Sequence, residues 1–168
     1  MNTVPAASLV AELSKELVER LSEKSLCCST AESCTGGLIG AAITSVPGSS
    51  AVYPGGVISY SNEAKERLLD VPHSVLDSVG AVSAETARAM AQGALERFRS
   101  DLAVSVTGIA GPGGAVPGKE VGLVFFGLAT KSGKWYTKKY VFPGDRQAVR
   151  TVSVETALQL LIDEANKI

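Results

Sequence analysis

Lys65 closes the run SYSNEAK (59–65), and serines come before it in TAESCTGG (30–37) and in PGSS (47–50). A lysine whose pKa falls through burial or a nearby cation can serve as base to a serine, and such a pair cleaves an amide or ester without histidine. That matters because the chain has a single histidine, His73. It lies in VPHSVLD, a surface turn leading into a short helix, and a lone imidazole with no motif around it reads as a solvated structural residue. Hydrolytic chemistry therefore needs another base. Ser49, Ser50, Tyr60, Asn62 and Lys65 fall close together in GSSAVYPGGVISYSNEAK (48–65), with Tyr60 able to relay a proton or orient the lysine. The plain alternative is a Lys65 solvated on a helix beside Glu63 and Glu66, the usual fate of lysine.

TAESCTGG sets an acid, a serine, a thiol, a threonine and two glycines between an apolar stretch and a helical pattern. Ligands of open α/β sheets collect where strands hand over to helices, and helix N-termini there offer unpaired N–H groups suited to one phosphate or carboxylate. Gly36 and Gly37 let backbone approach such a ligand, while Ser33 and Thr35 can cap the helix or donate to the ligand. The bland alternative is that they only cap and turn the chain. Neither GxxxxGK[ST] nor a strand-linked GxGxxG occurs, so the expected cradle is for one phosphate, not a dinucleotide or triphosphate.

VTGIAGPGG (106–114) puts Thr107 and Gly108 at the end of a buried strand, with a hydroxyl and backbone donors for an oxyanion or a ribose. Its alternative is ordinary turn chemistry. Arg146, in PGDR (143–146), sits just inside a helix start capped by Asp145. Positive charge there opposes the helix dipole, which an anion would explain. Cys27 and Cys28 read as buried strand residues; Cys34 ranks below the serines as a nucleophile, because no histidine accompanies it.

These residues need elements to position them. Leu9, Leu13, Leu17 and Leu21, with Val10 and Val18, predict an amphipathic helix near 6–23. SLCCSTA (25–31) predicts a buried strand, and a second helix runs from near Thr35 to Pro47-Gly48. The segment 50–61 reads as a strand or hairpin interrupted at Pro54-Gly55-Gly56, and 62–70 as one or two helical turns. Ser83 caps a long helix carrying Ala87, Met90, Ala91, Ala94, Leu95 and Phe98. A buried strand over 101–108, a Gly/Pro loop over 108–119, a hairpin turning at Lys131-Ser132-Gly133 and a final helix after Asp145 complete the chain. The expected fold is one domain over 1–168: a three-layer α/β/α arrangement around a mixed, mostly parallel sheet.

The chain has 168 residues, 45% hydrophobic and 20% charged, with a net charge of −1. That balance argues against nucleic acid held on a basic face. The N-terminal residues alternate apolar with charged types, and no stretch is long and apolar enough to span a bilayer. Three cysteines, two of them adjacent, make no disulfide framework and suit a reducing cytoplasm.

TAESCTGG, PGSS, SYSNEAK, GAVS, VTGIAGPGG, VG before an apolar strand, and GDR before a helix occur in an order and spacing that resemble the CinA C-terminal domain family. The likeness runs from about residue 9 to 165. Many members are stand-alone nicotinamide-nucleotide amidases, whereas longer ones carry a further N-terminal domain, and this chain looks like the short form. The resemblance implies hydrolysis of nicotinamide mononucleotide to nicotinate mononucleotide and ammonia, without metal or other cofactor. The substrate's single phosphate, ribose and carboxamide suit a one-anion cradle. On this resemblance Ser50 is the expected nucleophile, with Ser49 the nearer-loop alternative; Ser33 is expected to hydrogen-bond Lys65 or Ser50, with its serving as the nucleophile itself the other alternative. Lys65 is the base and Tyr60 positions it; Thr35, Gly36, Gly37, Asn62, Thr107 and Gly108 line the substrate, and Arg146 meets the phosphate. Related proteins are often oligomeric, so a homodimer is expected, with the N-terminal helix packing against a second copy.

Overall fold

The structure, a computed structural model, describes residues 8–168. The first helix, α1, covers Leu9–Lys24, and its N-cap Ser8 accepts a hydrogen bond from the Ala11 N–H; the earlier residues of the predicted helix lie outside the described ones. β1 (Cys28–Glu32) leads into α2 (Leu38–Thr44), and a 3₁₀ turn at Ser49–Ala51 precedes β2 (Gly55–Ile58). Three helices follow: α3 (Asn62–Leu69), α4 (His73–Val79) and α5 (Ala84–Phe98). β3 (Leu102–Gly108), β4 (Leu123–Thr130) and β5 (Trp135–Val141) come next, and α6 (Arg146–Ala165) ends the chain. Ser83 and Asp145 cap α5 and α6 as their sequence positions predict, each side chain accepting from the third N–H onward.

The five strands lie in the order β2-β1-β3-β4-β5. β2, β1 and β3 are mutually parallel; β3, β4 and β5 form an antiparallel meander. The sheet is thus mixed, its parallel part confined to the first three strands in sequence. α1, α2 and α6 cover one face and α3, α4 and α5 the other, giving the predicted three layers. The larger core joins Leu17, Leu21, Ile39, Leu158 and Leu161 to the sheet residues Val104 and Phe126. A smaller one under α5 holds Leu69, Leu76, Met90 and Ala103.

Two glycines set interlayer distances. A Cβ at Gly127 in β4 would run into the Ala87 carbonyl of α5, and one at Gly93 in α5 would run into the Leu69 carbonyl of α3. Both let backbones meet closely enough to fix where α3 sits over the sheet. Because β1, β2 and β3 run the same way, Ser33, Ser59 and Thr107 all emerge at one edge, just past or at the carboxyl ends of those strands. In parallel sheets that edge is where ligands are held.

Candidate active site

Lys65 sits in the first turns of α3, whose start is fixed by Ser61 accepting from the Ala64 N–H at 3.0 Å. Its side chain runs back under the β2–α3 connection and is only 1% exposed. The Nζ donates to the Ser59 carbonyl at 2.8 Å, to the Tyr60 carbonyl at 3.4 Å and to the Ser33 Oγ at 3.1 Å. An ammonium has three protons to give, and here each meets an uncharged oxygen. Burial without a carboxylate partner pushes the Lys65 pKa down to about 8, against an opposing pull from the Cys34 thiol. The neutral amine is therefore accessible near neutral pH, within hydrogen-bond reach of the Ser33 hydroxyl.

Ser33 is the first residue past β1, held in place by its N–H donating to the Val106 carbonyl at 3.0 Å. A cavity of about 200 Å³ opens beside it, lined by Ser33, Cys34, Tyr60, Lys65, Thr107 and Arg146, among others. The structure thus assembles one serine, one buried lysine and residues from β3 and α6. Tyr60 orients Lys65 through its backbone carbonyl; its phenol is exposed and accepts from the Arg146 guanidinium at 3.2 Å. The Thr107 hydroxyl donates to the Ala81 carbonyl at 2.7 Å, and Gly108 closes the cavity floor against β4.

Several sequence expectations fail on geometry. Ser50, and with it Ser49, belongs to the 3₁₀ turn whose following residue, Val52, accepts from the Cys28 N–H at the start of β1. Lys65 and Ser33 lie beyond the other end of that strand, about 16 Å away at ~3.3 Å per residue. Ser50 is exposed at the wrong edge and cannot reach Lys65. Asn62 is exposed on the outside of α3 and does not line the cavity.

The anion cradle expected of Thr35, Gly36 and Gly37 is already filled from within. The Glu32 carboxylate accepts from the Thr35 hydroxyl at 2.7 Å and from the N–H groups of Gly37, Ile39 and Gly40 at 3.0, 3.1 and 2.9 Å. The Gly36 N–H is spent on the Ser33 carbonyl. Glu32, 2% exposed, is thus the cap of α2 in place of Ser33 or Thr35, and that turn has no room for a second anion. Cys34 is buried, and that burial pushes its thiol up to about 11, so it stays protonated. His73 is exposed and pairs with Glu66 at 2.8 Å, which raises its pKa, away from the cavity. Cys28 is buried in β1 and Cys27 is half-buried just before it.

The sequence reading did not anticipate the roles of Glu32 or Arg150. An acid in a strand otherwise made of small residues was the available signal for Glu32. Arg150 stands four residues after Arg146, on the same face of α6. It donates to the Cys34 carbonyl at 3.1 Å and the Thr35 carbonyl at 3.3 Å. Arg146 donates to the Gly111 carbonyl at 2.9 Å and forms the wall shared with a second, wider cleft of about 850 Å³. That cleft is lined by Leu38, Pro112, Val121, Gln147 and Arg150 among others. Two arginines against one acid, Asp145, leave the wider cleft net positive beside the Ser33–Lys65 pair. No helix of the described residues is long and apolar enough to cross a membrane.

A family model described as the CinA C-terminal domain matches residues 10–165. A CinA-like protein of Leptospira borgpetersenii is 47% identical over 156 residues, covering 93% of this chain and 37% of that protein. A CinA-like protein of Geobacter sulfurreducens is 55% identical over 139 residues, covering 83% of this chain and 33% of that protein. The chain therefore spans about a third of the length of these relatives. The crystal structure of the competence/damage inducible protein CihA from Agrobacterium tumefaciens superposes with a TM-score of 0.92 at 42% identity, covering 99% of both chains. A CinA superfamily protein from Klebsiella pneumoniae gives 0.91 at 32% identity, covering 95% of this chain and 99% of the other.

Proposed function

The chain belongs to the CinA C-terminal domain family, and on that footing we propose that its cleft hydrolyses the carboxamide of nicotinamide mononucleotide, releasing nicotinate mononucleotide and ammonia in pyridine nucleotide recycling. The observation that carries this reading is the buried Lys65 Nζ 3.1 Å from the Ser33 Oγ, at the edge of a cavity. A cavity of about 200 Å³ suits one aromatic amide, and the wider cleft beyond Arg146 suits a ribose phosphate.

In the proposed reaction neutral Lys65 takes the Ser33 proton as the Oγ attacks the carboxamide carbon. The resulting ammonium passes its proton to the amide nitrogen, the C–N bond breaks and ammonia leaves, with nicotinate held on Ser33 as an ester. Water then enters, gives a proton to Lys65 and attacks the ester; the C–O bond to Ser33 breaks, and Lys65 returns the proton to the serine oxygen. The pyridinium charge of the substrate withdraws electrons from the carbonyl and assists both attacks. Arg146 has five N–H donors and spends one on Gly111 and one on Tyr60, leaving others for phosphate oxygens.

Ammonia release measured in parallel with nicotinamide mononucleotide, nicotinamide and glutamine tests the proposal. Turnover of the mononucleotide well above the other two supports it. Release from nicotinamide or glutamine alone points to an amidase for a different small amide, and release from none of them to a binding module without turnover.

A further inference from the structure

Amide hydrolysis needs a donor aimed at the oxygen that becomes negative as Ser33 attacks. Most N–H groups of the turn after Ser33 already have acceptors. Ser33 donates to Val106, Gly36 to Ser33, Leu38 to Thr35, and Gly37, Ile39 and Gly40 to Glu32. Among the described residues, the N–H groups of Cys34 and Thr35 find no backbone or neighbouring side-chain acceptor. The Cys34 N–H meets only its own sulfur, a weak acceptor. Thr35 is fully buried behind the turn, whereas Cys34 lines the cavity with Ser33 and Lys65.

The direction of the Cys34 N–H follows from the plane of its peptide. The Ser33 carbonyl points into the turn, accepting from Gly36 at 3.1 Å. In a trans peptide the N–H points opposite to the carbonyl, so the Cys34 N–H is turned out of the turn. Its orientation is held from both sides. Arg150 takes the carbonyls of Cys34 and Thr35, and the Glu32 carboxylate takes the N–H groups that follow. Backbone donors are nearly always matched within the protein, and one left without a protein acceptor at a cavity wall is free to meet a ligand oxygen.

We infer that the Cys34 backbone N–H, fixed by Glu32 and Arg150 on either side of the turn, is the oxyanion donor for attack by Ser33. The inference rests on the amidase reading above. A donor one peptide bond from the nucleophile can reach the oxygen of the carbonyl whose carbon that nucleophile attacks. The Cys34 thiol has no part in it. The donor is not the end of α2, whose N–H groups Glu32 already occupies.

Replacing the amide N–H of residue 34 by an ester oxygen, through incorporation of an α-hydroxy acid, removes this donor and only weakens the Ser33 carbonyl that accepts from Gly36. The expected result is a fall in kcat for nicotinamide mononucleotide of about 10²–10³-fold with KM changed by less than about threefold. As a measurement needing no variant, protein labelled with 15N-cysteine shows only three cysteine amides. When pyridine-3-boronic acid adds to Ser33, the Cys34 amide proton is expected to move downfield while those of Cys27 and Cys28 stay. An ester variant with unchanged kcat, or an adduct that leaves the Cys34 signal in place, overturns the assignment while leaving the Ser33–Lys65 reaction standing. A parent protein that releases no ammonia from any amide overturns that reaction and the assignment together.

Discussion

Lys65 reaches the hydroxyl of Ser33, a residue thirty-two positions earlier in the chain, at 3.1 Å, across the gap between the β2–α3 connection and the end of β1. The contact joins two segments that meet only because β1 and β2 are parallel neighbours, with Glu32 in register with Ile58. It also removes Ser50 from contention, since that serine stands at the opposite edge of the same strands.

Serine substitutions separate the two positions. Ser33→Ala is expected to lower kcat for nicotinamide mononucleotide by at least about 10³-fold, whereas Ser49→Ala and Ser50→Ala stay within about threefold of the parent. Ammonia release under saturating substrate measures all three.

The pH profile reports on Lys65. Its pKa is pushed down to about 8 by burial, and the base must be neutral, so kcat/KM is expected to rise with pH through about 8 and level off above it. Lys65→Met should abolish turnover. The same shift predicts a stability difference. Below about pH 8 the amine is protonated folded and unfolded, and the full cost of burying the charge is present. From there up to the ordinary lysine value the unfolded chain binds more protons, so folding stability contributed by this group rises with pH. Urea unfolding from pH 7 to 10 should show the parent gaining on Lys65→Met across that window.

Glu32→Gln tests the internal cap. The carboxylate accepts from a hydroxyl and three backbone N–H groups, whereas an amide brings its own NH₂ against some of those donors. A loss of about 2–4 kcal/mol in urea unfolding is expected, since buried hydrogen bonds to charge are worth ~1.5–3 kcal/mol each and one or more are broken. Turnover should fall as well, because the turn carrying Ser33 loosens.

Gly93→Ala sets two effects against each other. Alanine gains ~1 kcal/mol of helix propensity, but its Cβ meets the Leu69 carbonyl of α3, and overpacking of this kind costs ~1–3 kcal/mol or more. Net destabilisation is expected, with a lower kcat because α3 carries Lys65. A thermal melt together with the ammonia assay checks both; a raised Tm would show that α3 shifts freely.

Arg146→Met is expected to raise KM for nicotinamide mononucleotide at least about tenfold, the loss of one charge-assisted contact. The riboside, which lacks the phosphate, should be turned over with nearly unchanged KM. Comparing the two substrates isolates the phosphate contribution.

Much of the fold was legible because local rules fixed it. The leucine spacing of α1, the caps Ser83 and Asp145, and the Ser132-Gly133 turn between β4 and β5 each depend on residues a few positions apart. The importance of Lys65 was legible too, since one histidine and no metal motif left few other bases. What the sequence could not decide was which serine lies beside it. Ser50 is nearer in the chain, yet strand direction carries it to the far edge and brings Ser33 to the lysine. Nor could the sequence tell that the small-residue turn already holds its own anion, because the Glu32 rotamer and the N–H groups it satisfies exist only once β1 and α2 are packed. Residue types and local spacing set the elements and the candidate chemistry. The pairing of distant strand ends, and the burial that strips water from Lys65, came only with the tertiary structure, because both depend on contacts between segments far apart in the chain.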